Sequence, residues 1–85
     1  MKEFEIKITN QALKDINKLS PKLSGKLKDI LIELLSKDPF LGKPLLGDLK
    51  GNYSYRLTLK DRIVYSIDED KKIIYIKRAR THYGE

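Results

Sequence analysis

The chain has no cysteine, a single histidine and no long apolar run. Without cysteine there is no disulfide framework and no thiolate chemistry. One imidazole, His82, is too few for a dedicated zinc or iron site, so neither a metal nor another cofactor is expected. No stretch approaches the roughly 18 consecutive apolar residues that a membrane span requires. The opening MKEFEIKITN lacks the apolar core of a signal peptide, so a soluble, cytoplasmic protein with no membrane partner is expected. Repeats, linkers and low-complexity tracts are also missing. The first 52 residues contain neither arginine nor tyrosine: Arg56, Arg62, Arg78 and Arg80, and Tyr53, Tyr55, Tyr65, Tyr75 and Tyr83, all follow.

What remains is one small basic domain, residues 1–85. A chain of this length buries only about 60–65% of its unfolded surface, which leaves a thin stability margin that a partner can widen. Eighteen Lys and Arg against 12 Asp and Glu give a formal charge of +6. Such a field suits polyanions, acidic proteins or anionic membrane surfaces, and sign alone does not choose among them. The uneven distribution says more: guanidinium offers a rigid donor fork that matches phosphate oxygens, whereas lysine is a hydrated point charge. The second half is therefore the candidate working half.

The first half reads as scaffold. EFEIKI alternates Phe4, Ile6 and Ile8 with charged residues, the period of a half-buried strand. Thr9 or Asn10 can cap a helix over QALKDINKL, with Leu13, Ile16 and Leu19 on its apolar face. Ser20 and Pro21 restart the chain as cap and first helical residue. Leu23, Leu27, Ile30, Leu31, Leu34 and Leu35 then form the stripe of a long core-packing helix ended by Asp38-Pro39. DPFLGKPLLGDL, with two prolines and two glycines, reads as a loop crossing to the sheet.

Three strands follow. NYSYRLTL sets Tyr53, Tyr55, Leu57 and Leu59 against Ser54, Arg56 and Thr58; RIVYSI sets Ile63, Tyr65 and Ile67 against Arg62, Val64 and Ser66. With the apolar faces on the helices, Arg56 and Arg62 share the opposite face. KIIYIKRAR is less regular, because Ile74 and Ile76 share parity with Arg78 and Arg80. This strand must bulge or end near Lys77. The expected class is α+β: an N-terminal strand and two helices on one face of a mainly antiparallel, twisted four-stranded sheet, in the order β-α-α-β-β-β.

Metal-free RNA cleavage needs only the side-chain types that this second half holds. The ribose 2′-OH is the nucleophile, so a protein must orient it, take its proton, stabilise charge on the phosphorane and protonate the departing 5′ oxygen. Arginine suits the phosphorane, histidine the proton transfers, and tyrosine can donate a proton or stack on a base.

LGKPLLGDLKGNYSYRL, DRIVYSID and the terminal RTHY, in this order and across nearly the whole chain, resemble the RelE/ParE superfamily of toxin–antitoxin toxins, and RTHY resembles its YoeB/Txe branch. The resemblance implies a RelE-like fold and a ribosome-dependent mRNA endonuclease that acts on mRNA in the ribosomal A site, against rRNA. It also implies a cognate antitoxin, expected to be acidic and partly disordered until it binds. Carried over by position, Arg62 holds the scissile phosphate, His82 is the general acid, Tyr83 positions or stacks on the substrate, and Arg56 and Arg80 also contact phosphate. Where YoeB-like proteins carry a glutamate after GKP this chain reads KPLLGD, so the base is open among Asp48, His82 and a lysine. Lys50, Lys77 and Arg78 are expected as general RNA-backbone contacts. A ParE-like inhibitor of DNA gyrase, or a catalytically weak antitoxin-binding co-repressor, is the alternative. Each site residue also has a plainer reading: Arg62 paired with Asp61 or Asp68, His82 in a frayed tail, and Tyr55 and Tyr65 as core packing.

Overall fold

The computed structural model describes residues 3–47 and 51–81, with only the main chain at Arg80 and Thr81. Strand β1 (Glu5–Ile8) leads into helices α1 (Asn10–Asn17) and α2 (Pro21–Ile30), and the chain then crosses to β2 (Lys43–Pro44), β3 (Asn52–Arg56), β4 (Asp61–Asp68) and β5 (Ile73–Thr81). The sheet runs β1-β5-β4-β3-β2, antiparallel except for the parallel β1–β5 pair. It has five strands rather than the four expected from sequence. The extra one lies inside the stretch read as a loop, where Lys43 and Pro44 pair with Ser54 and Tyr53. Pro44 lacks an N–H, which only an edge strand tolerates.

Local chemistry starts both helices as the caps predict. Thr9 accepts a hydrogen bond from the Ala12 N–H and Ser20 from the Leu23 N–H, with Pro21 in the first turn of α2. α2 departs from expectation at its end. Its α-geometry stops at Ile30, and Leu31–Leu35 form a π-turn in which the Ser36 N–H reaches back to the Leu31 carbonyl. The wider turn swings Leu35 fully into the core and leaves Leu34, expected on the buried stripe, 41% exposed. Leu13 also points outward, and Ala12 and Asp15 are the buried residues of α1.

Leu27, Leu31, Leu35, Leu57, Ile63, Tyr65, Ile74, Ile76 and Ala79 build one core between the helices and the sheet. Leu59 does not join it. β3 ends at Arg56, and Leu59 sits 90% exposed on the turn to β4. The expected irregularity in the last strand is present: Tyr65 pairs with Ile76 but Val64 pairs with Arg78, so Lys77 is an extra residue bulged out of the ladder. The bulge reverses parity, and Ala79 takes the core position that an unbroken strand would give to Arg78. No helix among the described residues is long and apolar enough to cross a membrane.

Candidate functional site

Strand alternation turns Ile63 and Tyr65 of β4 towards the helices and leaves Arg62 and Val64 on the opposite face. Register then aligns the arginines. Arg56 stands opposite Arg62 on β3–β4, and Arg62 opposite Arg80 on β4–β5. Cross-strand neighbours lie about 5 Å apart, and like charges directly opposite one another are destabilising. Among the described residues neither Arg56 nor Arg62 has a hydrogen-bonding or ion-pairing partner for its guanidinium, and both side chains are exposed. The plainer reading of Arg62 as a partner of Asp61 or Asp68 is therefore not what the structure contains. The unneutralised guanidinium groups of Arg56 and Arg62 make a surface suited to an anion whose oxygens can accept more than one fork at once.

The next row inward is Lys43, Ser54, Val64 and Arg78. Because Ser54 is short, the face sinks into a hollow of about 280 Å³ lined by Lys43, Ser54, Arg56, Thr58, Lys60 and Arg62, with Leu59 and Asp61 at its edge. The turn that forms one wall is internally braced. The Thr58 hydroxyl donates to the Asp61 carboxylate (2.7 Å) and accepts from the Lys60 and Asp61 N–H groups, while the Leu57 N–H reaches the Asp61 carbonyl. This holds the ends of β3 and β4, and so Arg56 and Arg62, at fixed spacing.

The opposite wall depends on Tyr65. Its buried hydroxyl donates to the Pro39 carbonyl (2.7 Å) and accepts from the Gly42 N–H (3.0 Å), tying the crossing segment to the sheet immediately before Lys43. Burial is the main reason that its pKa rises to about 12. Tyr53 stacks on Tyr65 at 5.7 Å, and Phe40 meets Tyr53 edge-on at 5.9 Å. A β-carbon on Gly42 would lie 2.2 Å from the Tyr65 oxygen, so glycine is the residue that fits there.

Arg78 has a partner that the sequence did not announce. Its Nε donates to Asp15 Oδ2 (2.8 Å), Nη2 lies 3.4 Å from Oδ1, and the Ala79 N–H also reaches Oδ2 (3.0 Å). Burial works to raise the Asp15 pKa, but hydrogen bonds from Arg78, Ala79 and Gln11 outweigh it and hold the carboxyl below its usual range. The charge of Arg78, expected to serve as a general phosphate contact, is thus already matched within the chain. Lys77 is exposed on the bulge. Asp48, Lys50, His82 and Tyr83 lie outside the described residues, as does the side chain of Arg80. Sequence reasoning missed Lys43 and Lys60. Lys43 could have been found in the GKP stretch itself; Lys60 had only its place in a turn.

Residues 8–83 match the family model of the YoeB-like toxin of bacterial type II toxin–antitoxin systems. Toxin RelG of Mycobacterium tuberculosis is 30% identical over 77 residues, covering 89% of this chain and 87% of its own. Toxin YoeB of Streptomyces coelicolor is 40% identical over 57 residues, covering 62% and 66%. Among solved structures, the RelBE2 toxin–antitoxin complex of M. tuberculosis superposes with a TM-score of 0.88 at 29% identity, over 96% of this chain and 94% of the other.

Proposed function

The chain belongs to the YoeB-like toxins of bacterial type II toxin–antitoxin systems, and on that premise we propose that it is a ribosome-dependent mRNA endonuclease cutting by metal-free 2′-OH attack. The observation that carries this reading is the row Arg56–Arg62–Arg80 beside a hollow edged by Lys43 and Lys60. In the proposed reaction the 2′ oxygen forms a bond to phosphorus as the bond to the 5′ oxygen breaks. Arg62, with Arg56 and Arg80, grips the phosphate and offsets charge on the phosphorane oxygens. His82 gives a proton to the departing oxygen and Tyr83 positions the substrate, roles that rest on the RTHY resemblance. For the proton of the 2′-OH, the hollow supports a lysine, Lys43 or Lys60, because both line it beside Arg56 and Arg62.

The proposed partner is a cognate antitoxin, as in the RelBE2 complex. An acidic segment that orders on binding would cover Arg56 and Arg62 and occlude the phosphate site. The test is induced expression with primer extension on a translated message. Growth arrest with cuts inside translated codons, relieved by Arg62→Ala, is the expected result. Normal growth at high protein level, or arrest with intact mRNA and a DNA-damage response, would overturn the nuclease reading, the latter in favour of gyrase inhibition.

A further inference from the structure

A β-bulge leaves main-chain groups that the ladder no longer satisfies, and it persists only where something else does so. In β5 that something is the beginning of α1. β1 stops at Ile8, opposite Ile76, so from Lys77 onward β5 has no strand on that side. Thr9 fills the next position: its N–H donates to the Ile76 carbonyl (3.1 Å), and its hydroxyl donates to the same oxygen (3.0 Å) with the Lys77 carbonyl also in reach (3.3 Å). Six residues further on, Asp15, only 8% exposed, takes the Ala79 N–H and the Arg78 guanidinium. Thr9 and Asp15 therefore grip the strand on either side of the extra residue.

The register shows what that grip decides. With the bulge, Ile63 faces Ala79 and Arg62 faces Arg80. Were the pairing of Tyr65 with Ile76 continued without it, Ile63 would face Arg78 and Arg62 would face Ala79. An arginine would stand in the core row, and the third member of the arginine row would be gone.

We propose that Asp15, assisted by Thr9, is a positioning residue for the phosphate-binding row: by clamping the Lys77 bulge it fixes the register in which Arg80 stands opposite Arg62. The catalytic part of this inference rests on the nuclease reading above; the register part does not. Thr9 caps α1 and Asp15 lies within it, and neither lines the hollow.

The experiment uses the full chain carrying Asp15→Ala, Asp15→Asn or Thr9→Val, with two readouts. The first is the nuclear Overhauser contact between the α-protons of Ile63 and Ala79, which only the bulged register brings opposite. The second is cleavage on programmed ribosomes, resolved into kcat and KM. Asp15→Ala should lose the contact and at least tenfold in kcat with KM changed less than about threefold. Asp15→Asn, which keeps an acceptor for the Ala79 N–H, should restore the contact and most of the turnover. If Asp15→Ala does not fold, Thr9→Val should show a weakened contact and lower kcat. A folded Asp15→Ala, or failing that a folded Thr9→Val, with the Ile63–Ala79 contact and kcat both unchanged would overturn the proposal. If the wild-type chain does not cleave at all, the nuclease reading fails. The proton contact then decides the register claim alone: retained in the variants it overturns the claim, and lost it supports it.

Discussion

At the scale of single residues, Tyr65 and Gly42 are read together. Tyr65→Phe removes one oxygen and leaves the Gly42 N–H and Pro39 carbonyl without their partner, a loss of about 1–3 kcal/mol for buried groups. In a domain of this size each kcal/mol lowers the thermal midpoint by about 4–8 °C, so calorimetry should register it. Gly42→Ala should destabilise too, because the new methyl meets the hydroxyl at 2.2 Å. The double variant should lose less than the sum of the two, since Phe removes the atom that the methyl strikes; strict additivity in urea unfolding would argue against this contact. Tyr65 also predicts an alkaline limb. Its folded pKa is raised to about 12, so its contribution is full below the ordinary tyrosine value near 10 and declines as pH rises through 12. Tyr65→Phe should lack that component of the alkaline denaturation curve. On the other face, Arg62→Lys keeps the charge but not the fork. Cleavage should still fall roughly 100-fold or more, whereas near-wild-type activity would mean that charge alone suffices at this position.

At the scale of elements, α1 works on two sides. It covers β5 with Ala12, and it satisfies the open edge of that strand with Thr9 and Asp15. This explains why its polar positions outrank Leu13, which faces solvent, in holding the helix to the sheet. The depressed pKa of Asp15 gives the arrangement an acid limit. A carboxylate favoured in the fold stabilises it above the unfolded pKa near 4, and that contribution is lost as pH falls through the lower folded value. Acid titration of wild type and Asp15→Asn should converge at low pH and separate above about pH 4; parallel curves throughout would show that the carboxylate is not coupled to folding.

For the whole molecule, one sheet separates two kinds of surface. The helix side holds the apolar core, and the far side presents the guanidinium groups of Arg56 and Arg62, which no described residue neutralises. Burial on one face alone leaves a domain of 85 residues with a modest reserve, and the charge of +6 works against compactness. An acidic antitoxin segment should therefore raise the thermal midpoint in a concentration-dependent way. No shift at saturation would count against the proposed partner. RNA affinity should fall steeply with salt, and Arg56→Ala should reduce the slope by about one phosphate contact.

Legible in the residue pattern alone were the strand period that separates Arg62 from Ile63 and Tyr65, the caps at Thr9 and Ser20, and the need for an interruption near Lys77. These are local properties, set by side-chain alternation, by the first orphan N–H groups of a helix and by the cost of burying an arginine. It took the folded chain to show that Lys43 and Pro44 form a fifth strand, that α2 closes in a π-turn, and that Asp15 faces β5 in place of Leu13. The fold alone also placed Arg56, Arg62 and Arg80 in one row. The fifth strand and the Asp15 contact depend on partners distant in the chain, Ser54 for Lys43 and Ala79 for Asp15, and the row depends on the register between strands. A one-dimensional pattern carries the period of such contacts but not their pairing.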